Sequence, residues 1–525
     1  MSEKEKITKA AGIVGASTLL SRIFGFARDI ILAALFGAGL HSDAFIAAFR
    51  IPNLLRRLFA EGSLVIAFIP VFTQYIDQKE NKEAFDLARS AMIVLFSILL
   101  VITILGIIFS PFIVKMIAFG FKDRIDQYEL TVLLTRIMFP YSLLICLVAL
   151  CMGILNTLGH FAAPAVAPVL LNIAMIVSVL LVSLVSSDMT VRIIGLSCGV
   201  IVGGILQLAL QVPYLIRVGF TFFRKSVLIH PGLKKIGILM MPAVLGAGVY
   251  QINMLIGTFL ASLLPTGSIS YLYYADRLVQ FPLGIFAMAV ATAVLPSLSR
   301  HAANKDLKGL KNTFAYSLKL ILFIMLPSIA GLIALSEPII SLLLERGKFD
   351  QYAVQMTSQA LLYYCSGIWA TAAVSIVVRV FYALNDSKTP VMAAVISILA
   401  NIFASVIFMG PMKHGGLALA TSIASTINLV ILIYMLRRKL GALGWRNILF
   451  STGKSFITSI IMGFIVWLTA IHIIPLGQGS HTTLFIFLLI CMIAGLLSYT
   501  GLSFLFKSEE LKYVAAILRK EQITT

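Results

Sequence analysis

Charge is scarce in this chain. Of its 525 residues only 12% are Asp, Glu, Lys or Arg, about half the share found in an ordinary soluble domain. Acid is scarcer still: 22 Asp and Glu stand against 41 Lys and Arg, a formal net charge of +19. A soluble chain of this length would form several domains, yet no polar linker divides it. What fills the sequence instead is hydrocarbon, with 60% hydrophobic residues and a mean hydropathy of +1.00. These deficits point to a polytopic membrane protein.

Chemistry-bearing motifs are equally sparse. There is no Walker A loop, GxGxxG fingerprint or large soluble portion, so ATP hydrolysis by this chain is not expected. The five cysteines, Cys146, Cys151, Cys198, Cys365 and Cys491, fall inside apolar runs without metal-ligand spacing and read as small hydrophobes. The seven histidines form no HxxxH or HExxH pair, so no zinc site and no cofactor are expected.

Apolar runs long enough to cross about 30 Å of hydrocarbon as helix recur from end to end. They lie near 8–36, 43–74, 90–118, 130–157, 162–186, 191–216, 236–263, 268–297, 315–343, 352–383, 390–410, 415–436, 451–474 and 482–506. The runs are apolar all round rather than alternating, which excludes transmembrane strands. The expected fold class is all-α, with about fourteen membrane helices.

The basic excess sits in alternate loops. Lys4, Lys6 and Lys9 precede the first run, and Lys79, Lys82 and Arg89 follow the second. Arg217, Arg224, Lys225, Lys234 and Lys235 follow the sixth, and Arg300, Lys305, Lys308 and Lys311 the eighth. Arg437, Arg438, Lys439, Arg446 and Lys454 follow the twelfth, while Lys507, Lys512, Arg519 and Lys520 close the chain. The intervening loops hold little beyond Lys122, Arg124, Arg346, Lys348 and Lys413. By the positive-inside rule both termini are cytoplasmic. The charge marks topology, and no nucleic-acid partner is expected. The first run is too long, and too charged at Arg22 and Arg28, for a cleaved signal peptide.

The chain also repeats itself. "NTLGHFAAPAVAPVLLNIAMI" from Asn156 resembles "NDSKTPVMAAVISILANIFAS" from Asn385, which sets Asn172 against Asn401. "GLSCGVIVGGILQLALQVPYLIR" from Gly195 matches "GLALATSIASTINLVILIYMLRR" from Gly416, and the segment ending at Pro70 aligns without gaps to the one ending at Pro296. Two six-helix lobes follow, residues 1–218 and 219–440, with two further helices and an amphipathic tail in 441–525. Six is even, so the copies enter the membrane the same way, as parallel repeats do in transporters that rock two lobes about a midplane site. Mid-run prolines (Pro52, Pro140, Pro242, Pro282 and Pro327) suit helices that bend.

Against this background the arginines inside the runs stand out. Arg22 and Arg28 lie in the first, Arg50, Arg56 and Arg57 in the second, and Arg277 in the eighth. Each costs about 2.5–3.5 kcal/mol at a helix centre, so several together should face water or an anion rather than lipid. The acidic partners Asp29, Asp43, Glu61 and Asp276 are too few to neutralise the set. Arg22 and Asp29 are seven residues apart and share a helix face, with Arg28 about 120° away. The reading is a cationic cavity between the lobes, built from Arg22, Arg28, Arg56 and Arg277, suited to phosphate through bidentate hydrogen bonds. Arg50 and Arg57 read equally well as cavity arginines or as structural ones, in interhelical salt bridges and at snorkelling ends.

The stretches "SRIFGFARD", "DAFIAAFRIPNLLRRLFAEGSLVIAFIPVF", "FPYSLLICLVALCMGILNTLGHFAAPAVAPVLLNI" and "YYADRLVQFPLGIF" resemble the MurJ (MviN) family of bacterial lipid II flippases, within the multidrug/oligosaccharidyl-lipid/polysaccharide exporter superfamily. The resemblance spans essentially the whole chain. It implies export of the undecaprenyl-diphosphate-linked peptidoglycan precursor, lipid II, across a bacterial inner membrane by alternating access, with peptidoglycan-synthesis proteins as possible partners. It implies that Arg22, Arg28, Arg56 and Arg277 are the essential arginines, that Asp43 in "SDAF" is a functional acid, and that Glu61 in "AEG" and Asp29 support them, Asp29 by orienting its neighbour. The two extra helices would flank the polyprenyl tail among membrane lipids. Some members carry a sodium site with carboxylates in the second lobe; the matching spans here offer Asn253, Asn401, Ser405 and Thr421, neutral groups that argue against sodium coupling and leave coupling to another monovalent cation or to protons open.

Three other readings compete. A drug or cation antiporter on the same scaffold would want acidic or aromatic cavity residues, and an exporter of another polyprenyl-diphosphate glycan would share the arginines. A membrane enzyme would need carboxylate pairs or histidines, which do not cluster here. Ser508 to Glu521, "SEELKYVAAILRKE", reads as an interfacial helix with basic residues toward anionic headgroups.

Overall fold

The computed structural model describes residues 3–58, 64–78, 81–222, 230–474 and 480–511. Among them there are helices and no strands, as the all-round apolar runs require: in hydrocarbon only helices satisfy their own backbone within one segment. The chain divides into two compact units, Met1–Ser270 and Tyr271–Thr525.

The first unit holds α1 (Glu3–Phe36), α2 (Leu40–Leu55), α3 (Leu64–Gln78), α4 (Asn81–Ile108), α5 (Ser110–Ile117), α6 (Ile125–Met138), α7 (Pro140–Thr157), α8 (Ala162–Val185), α9 (Met189–Arg217) and α10 (Gly232–Ser262). The α8–α9 hairpin packs most extensively, with α1 along α8, α7 along α9 and α2 along α6. Small residues allow that closeness. A methyl on Gly203 would come within 2.7 Å of the Leu171 side chain, and one on Gly204 within 2.9 Å of Tyr141, so α9 can approach both neighbours only as glycine there. Phe68, Phe72 and Leu87 meet Leu150, Ile154 and Leu215 in a buried core.

The second unit begins within α11 (Ser268–Pro282), which passes through a π-helical turn, Leu283–Ala287, into α12 (Met288–Ala303). Then come α13 (Leu307–Ala334), α14 (Ser336–Leu344), α15 (Gln351–Ala383), α16 (Lys388–Leu440), α17 (Trp445–Ile473) and α18 (His481–Leu505). At 53 residues α16 would run about 80 Å if straight, far more than one crossing needs. It breaks at Lys413, whose backbone is at φ 50° and ψ −131°, and His414 beyond the break is held by the Met356 carbonyl, 2.8 Å away. The two runs expected at 390–410 and 415–436 are the two sides of that break. At the opposite end of this hairpin Lys439 and Thr389 hydrogen-bond Asp386. Burial raises that carboxyl, but these bonds outweigh it and hold it at about 2.

Ten helical stretches among the described residues are long and apolar enough to cross a membrane, α16 counted once. The other expected spans are helical, but α1, α2–α3 and α10 are not among the ten. Arg22, Arg28 and Asp29 interrupt α1, and α2 and α3 are short pieces on either side of residues 59–63. Of the expected C-terminal interfacial helix only Ser508–Leu511 is described; the rest lies outside the described residues.

Candidate functional site

Arg28 is buried, and it does not stand alone. Its Nε and Nη2 donate to Asp29 Oδ1 at 3.0 and 2.7 Å, and Nη1 donates to Asn172 Oδ1 on α8 at 3.0 Å. The Asn172 amide nitrogen donates in turn to the carbonyls of Ser21 on α1 and Pro168 on α8, both at 3.3 Å. Arg28 and Asp29 are 7% and 3% exposed, a burial that costs several kcal/mol per ion unless the pair is well bonded. Here the acid takes two N–H groups and the asparagine a third, so the guanidinium is fixed in plane and direction. Helix periodicity had put Asp29 on the face of Arg22. The long Arg28 side chain reaches around the helix to its neighbour instead, and both turn toward α8.

Arg22 is exposed, and no described residue hydrogen-bonds or ion-pairs with it. Arg56, directly after α2, is half-buried and donates from Nε to Asn53 Oδ1 at 3.0 Å. Of the two arginines left open between cavity and structure, Arg50 points Nη1 at Met254 Sδ, 3.5 Å away, and Arg57 is half-buried. In the second unit Arg277 is exposed on α11. Its Nη2 donates to Tyr273 Oη at 2.8 Å and its guanidinium lies 4.8 Å from the Tyr273 ring centre, one turn away on the same helix. Asp276 accepts from Gln280 Nε2 at 3.3 Å. Glu61 lies outside the described residues.

Asp43 is the most completely bonded acid of the set, at 1% exposure. Its Oδ2 accepts from Gly267 N at 2.6 Å, and its Oδ1 from Ser270 N at 2.9 Å and Ser270 Oγ at 2.6 Å. An anion here satisfies the first amides of α11, where the helix dipole favours it. The turn just before is held by the opposite charge: Arg124 Nη2 donates to Leu264 O at 2.6 Å, among the carbonyls that end α10. A cation on the outgoing helix and an anion on the incoming one thus brace the 263–267 turn. Ser42 steadies the approach from α2 by donating to Gly37 O at 2.6 Å, across a turn where Gly37 has φ +63°.

The neutral residues matched to an ion site divide differently. Ser405 Oγ donates to Asn401 Oδ1 at 3.0 Å, and Thr421 Oγ1 spends its proton on Leu417 O at 3.0 Å. Asn253 is half-buried in α10. Among the described residues no group of three or more His, Cys, Asp or Glu is placed to hold a metal.

Three functional partners escaped the sequence reading: Asn172, Arg124 and Ser270. Asn172 had a signal, since it is the repeat partner of Asn401. Arg124 was visible only as a rare charge in a sparse loop.

Long apolar helices in two compact units, with no strand among the described residues, define a polytopic helical membrane protein. An inward-facing multidrug resistance MATE transporter of the MOP superfamily has the same fold: it is 16% identical with TM-score 0.67, covering 81% of this chain and 95% of that one. The sequence model described as Lipid II flippase MurJ matches residues 32–489. A probable lipid II flippase MurJ of Vibrio cholerae is 38% identical over 450 residues, 83% of this chain and 85% of that protein. A solved lipid II flippase MurJ in an inward closed conformation is 29% identical with TM-score 0.78, over 94% of this chain and 98% of that one. The chain belongs to the MurJ family, whose members are membrane transporters and not enzymes.

Proposed function

We propose that this protein carries lipid II from the cytoplasmic to the periplasmic leaflet of a bacterial inner membrane by alternating access. The family match over residues 32–489 is the observation that supports it most. In this reading residues 1–218 and 219–440 are the two rocking lobes, both termini are cytoplasmic, and residues 441–525 lie beside the polyprenyl tail. Proteins of peptidoglycan synthesis on the two leaflets are the partners it implies.

Arg22, Arg28, Arg56 and Arg277 are the diphosphate contacts in this reading. Guanidinium suits a diphosphate because its fork of N–H donors meets two oxygens at once. The four have different supports. Arg28 is aimed by Asp29 and Asn172, Arg277 is backed by Tyr273, and exposed Arg22 needs least rearrangement to meet a ligand. Asp43 holds the start of the helix that carries Arg277, and Glu61 and Asp276 are the remaining supporting acids. The membrane potential drives the step in the right direction, because an anion leaving a negative interior gains about 2.3 kcal/mol per charge per 100 mV. The returning empty site is cationic and is drawn inward by the same field.

Depleting this protein from its own cells tests the proposal. Lipid II accessible to an externally added lipid II-cleaving toxin should fall while total lipid II rises, and plasmid-borne wild type should reverse both. Unchanged accessibility under depletion would overturn the assignment.

A further inference from the structure

The second unit contains a proline within a helix, and the carbonyl it orphans is served by a distant side chain. Pro327 lies inside α13. Proline has no N–H, so the Phe323 carbonyl four residues earlier loses its helical partner, and in hydrocarbon such a group is costly to leave open. Tyr499 on α18, 176 residues away in sequence, donates its hydroxyl to Phe323 O at 2.7 Å. The Tyr499 ring lies 5.1 Å from the Phe323 ring, centre to centre, and the residue is 6% exposed.

Hydroxyls of Ser455, Thr458 and Ser459 on α17 and of Ser503 on α18 lie near the Tyr499 hydroxyl. The three α17 hydroxyls return their own protons to α17 carbonyls, at 3.2, 3.0 and 2.6 Å. They therefore do not compete with Tyr499 for the Phe323 carbonyl.

The position of the proline matters. α12 and α13 form a hairpin, with α12 ending at Ala303 and α13 starting at Leu307. Ala287 and Phe323 are both sixteen residues back from those ends, so the π-helical turn Leu283–Ala287 lies level with Phe323, and α13 packs on that turn. Both helices of the hairpin thus carry a feature that lets helices bend, a π turn on one and a proline on the other, at one level. Arg277 is six residues before the π turn on the same continuous helix.

We infer that Tyr499 is a positioning residue that pins the Pro327 hinge of α13, and through α13 sets the bend of the helix that carries Arg277. The two C-terminal helices thereby act on the transport bundle as well as flanking it. The part that concerns transport rests on the flippase reading; the pin itself does not.

A double-mutant cycle in the full-length protein tests it. Tyr499→Phe keeps the ring and removes only the hydroxyl, leaving Phe323 O unserved. Amides around 320–330 should then exchange with deuterium about tenfold faster or more, and lipid II export should slow several-fold at equal abundance. Pro327→Ala restores an N–H for Phe323 O, so in that background Tyr499→Phe should change neither quantity. Ser503→Ala removes a neighbouring hydroxyl without freeing a carbonyl and should leave exchange as in wild type. If Tyr499→Phe speeds exchange equally with and without Pro327, the pin is refuted. If exchange couples as expected but export is untouched by Tyr499→Phe, the positioning role is refuted while the flippase reading stands. Failure of the flippase reading shows separately, in wild-type export.

Discussion

Asp29→Leu destabilises the protein by about 3–5 kcal/mol, the usual cost of removing one partner of a buried ion pair. The cause is what the substitution leaves behind. Arg28 would keep its charge at 7% exposure with two of its N–H groups deprived of the Asp29 acceptor. Replacing both residues, Arg28→Met with Asp29→Leu, should cost less than Asp29→Leu alone, because no uncompensated charge remains. Thermal unfolding midpoints in detergent measure the order: wild type first, then the double variant, then Asp29→Leu. The folded double variant also separates two roles of Arg28. If it grips diphosphate, the double variant is stable and does not export lipid II; if it only joins α1 to α8, export survives.

The second large effect belongs to Asp43. Asp43→Ala withdraws the acceptor from two backbone amides and a hydroxyl at a position 1% exposed, which should cost about 3 kcal/mol. Ser270→Ala removes one of the three bonds and should cost about 1 kcal/mol. Asp43→Asn falls between, since its amide oxygen can still accept but its NH₂ group meets an N–H donor. The consequence for transport should exceed the loss of stability. α11 would lose its anchored first turn, and Arg277 lies further along that helix. Midpoints and export rates of the three variants check the ranking; equal effects of Asp43→Ala and Ser270→Ala would show that the carboxylate is not the anchor.

Much of this architecture is readable from local pattern, because lipid makes strong demands. Period and length place helices wherever apolar runs occur, and the two separate runs expected at 390–410 and 415–436 meet at the break at Lys413. Arginine in apolar sequence is conspicuous for the same reason. Pairing is harder to read. Periodicity fixes where the Cβ of Asp29 and Arg22 point, but Arg28 carries its charge several bonds from its Cβ and can reach the adjacent acid. Asn172 looks like a marker of the repeat until α8 lies along α1. Asn401, matched to it in the sequence repeat, accepts from Ser405. The Tyr499 contact depends on a carbonyl orphaned by a proline far away in the chain, and no pattern within either helix announces it.

In the proposed mechanism Arg22, Arg28, Arg56 and Arg277 hold the diphosphate during export. Arg22→Ala with Arg277→Ala tests it best, because both side chains are exposed and their removal leaves no buried charge behind. The measurement is lipid II accessible on the periplasmic face of depleted cells complemented with this double variant or with wild type, at matched membrane abundance. The account predicts that wild type restores accessibility and that the double variant falls short by about tenfold or more, the loss of a charge-assisted bond or two. Full restoration by the double variant would contradict it.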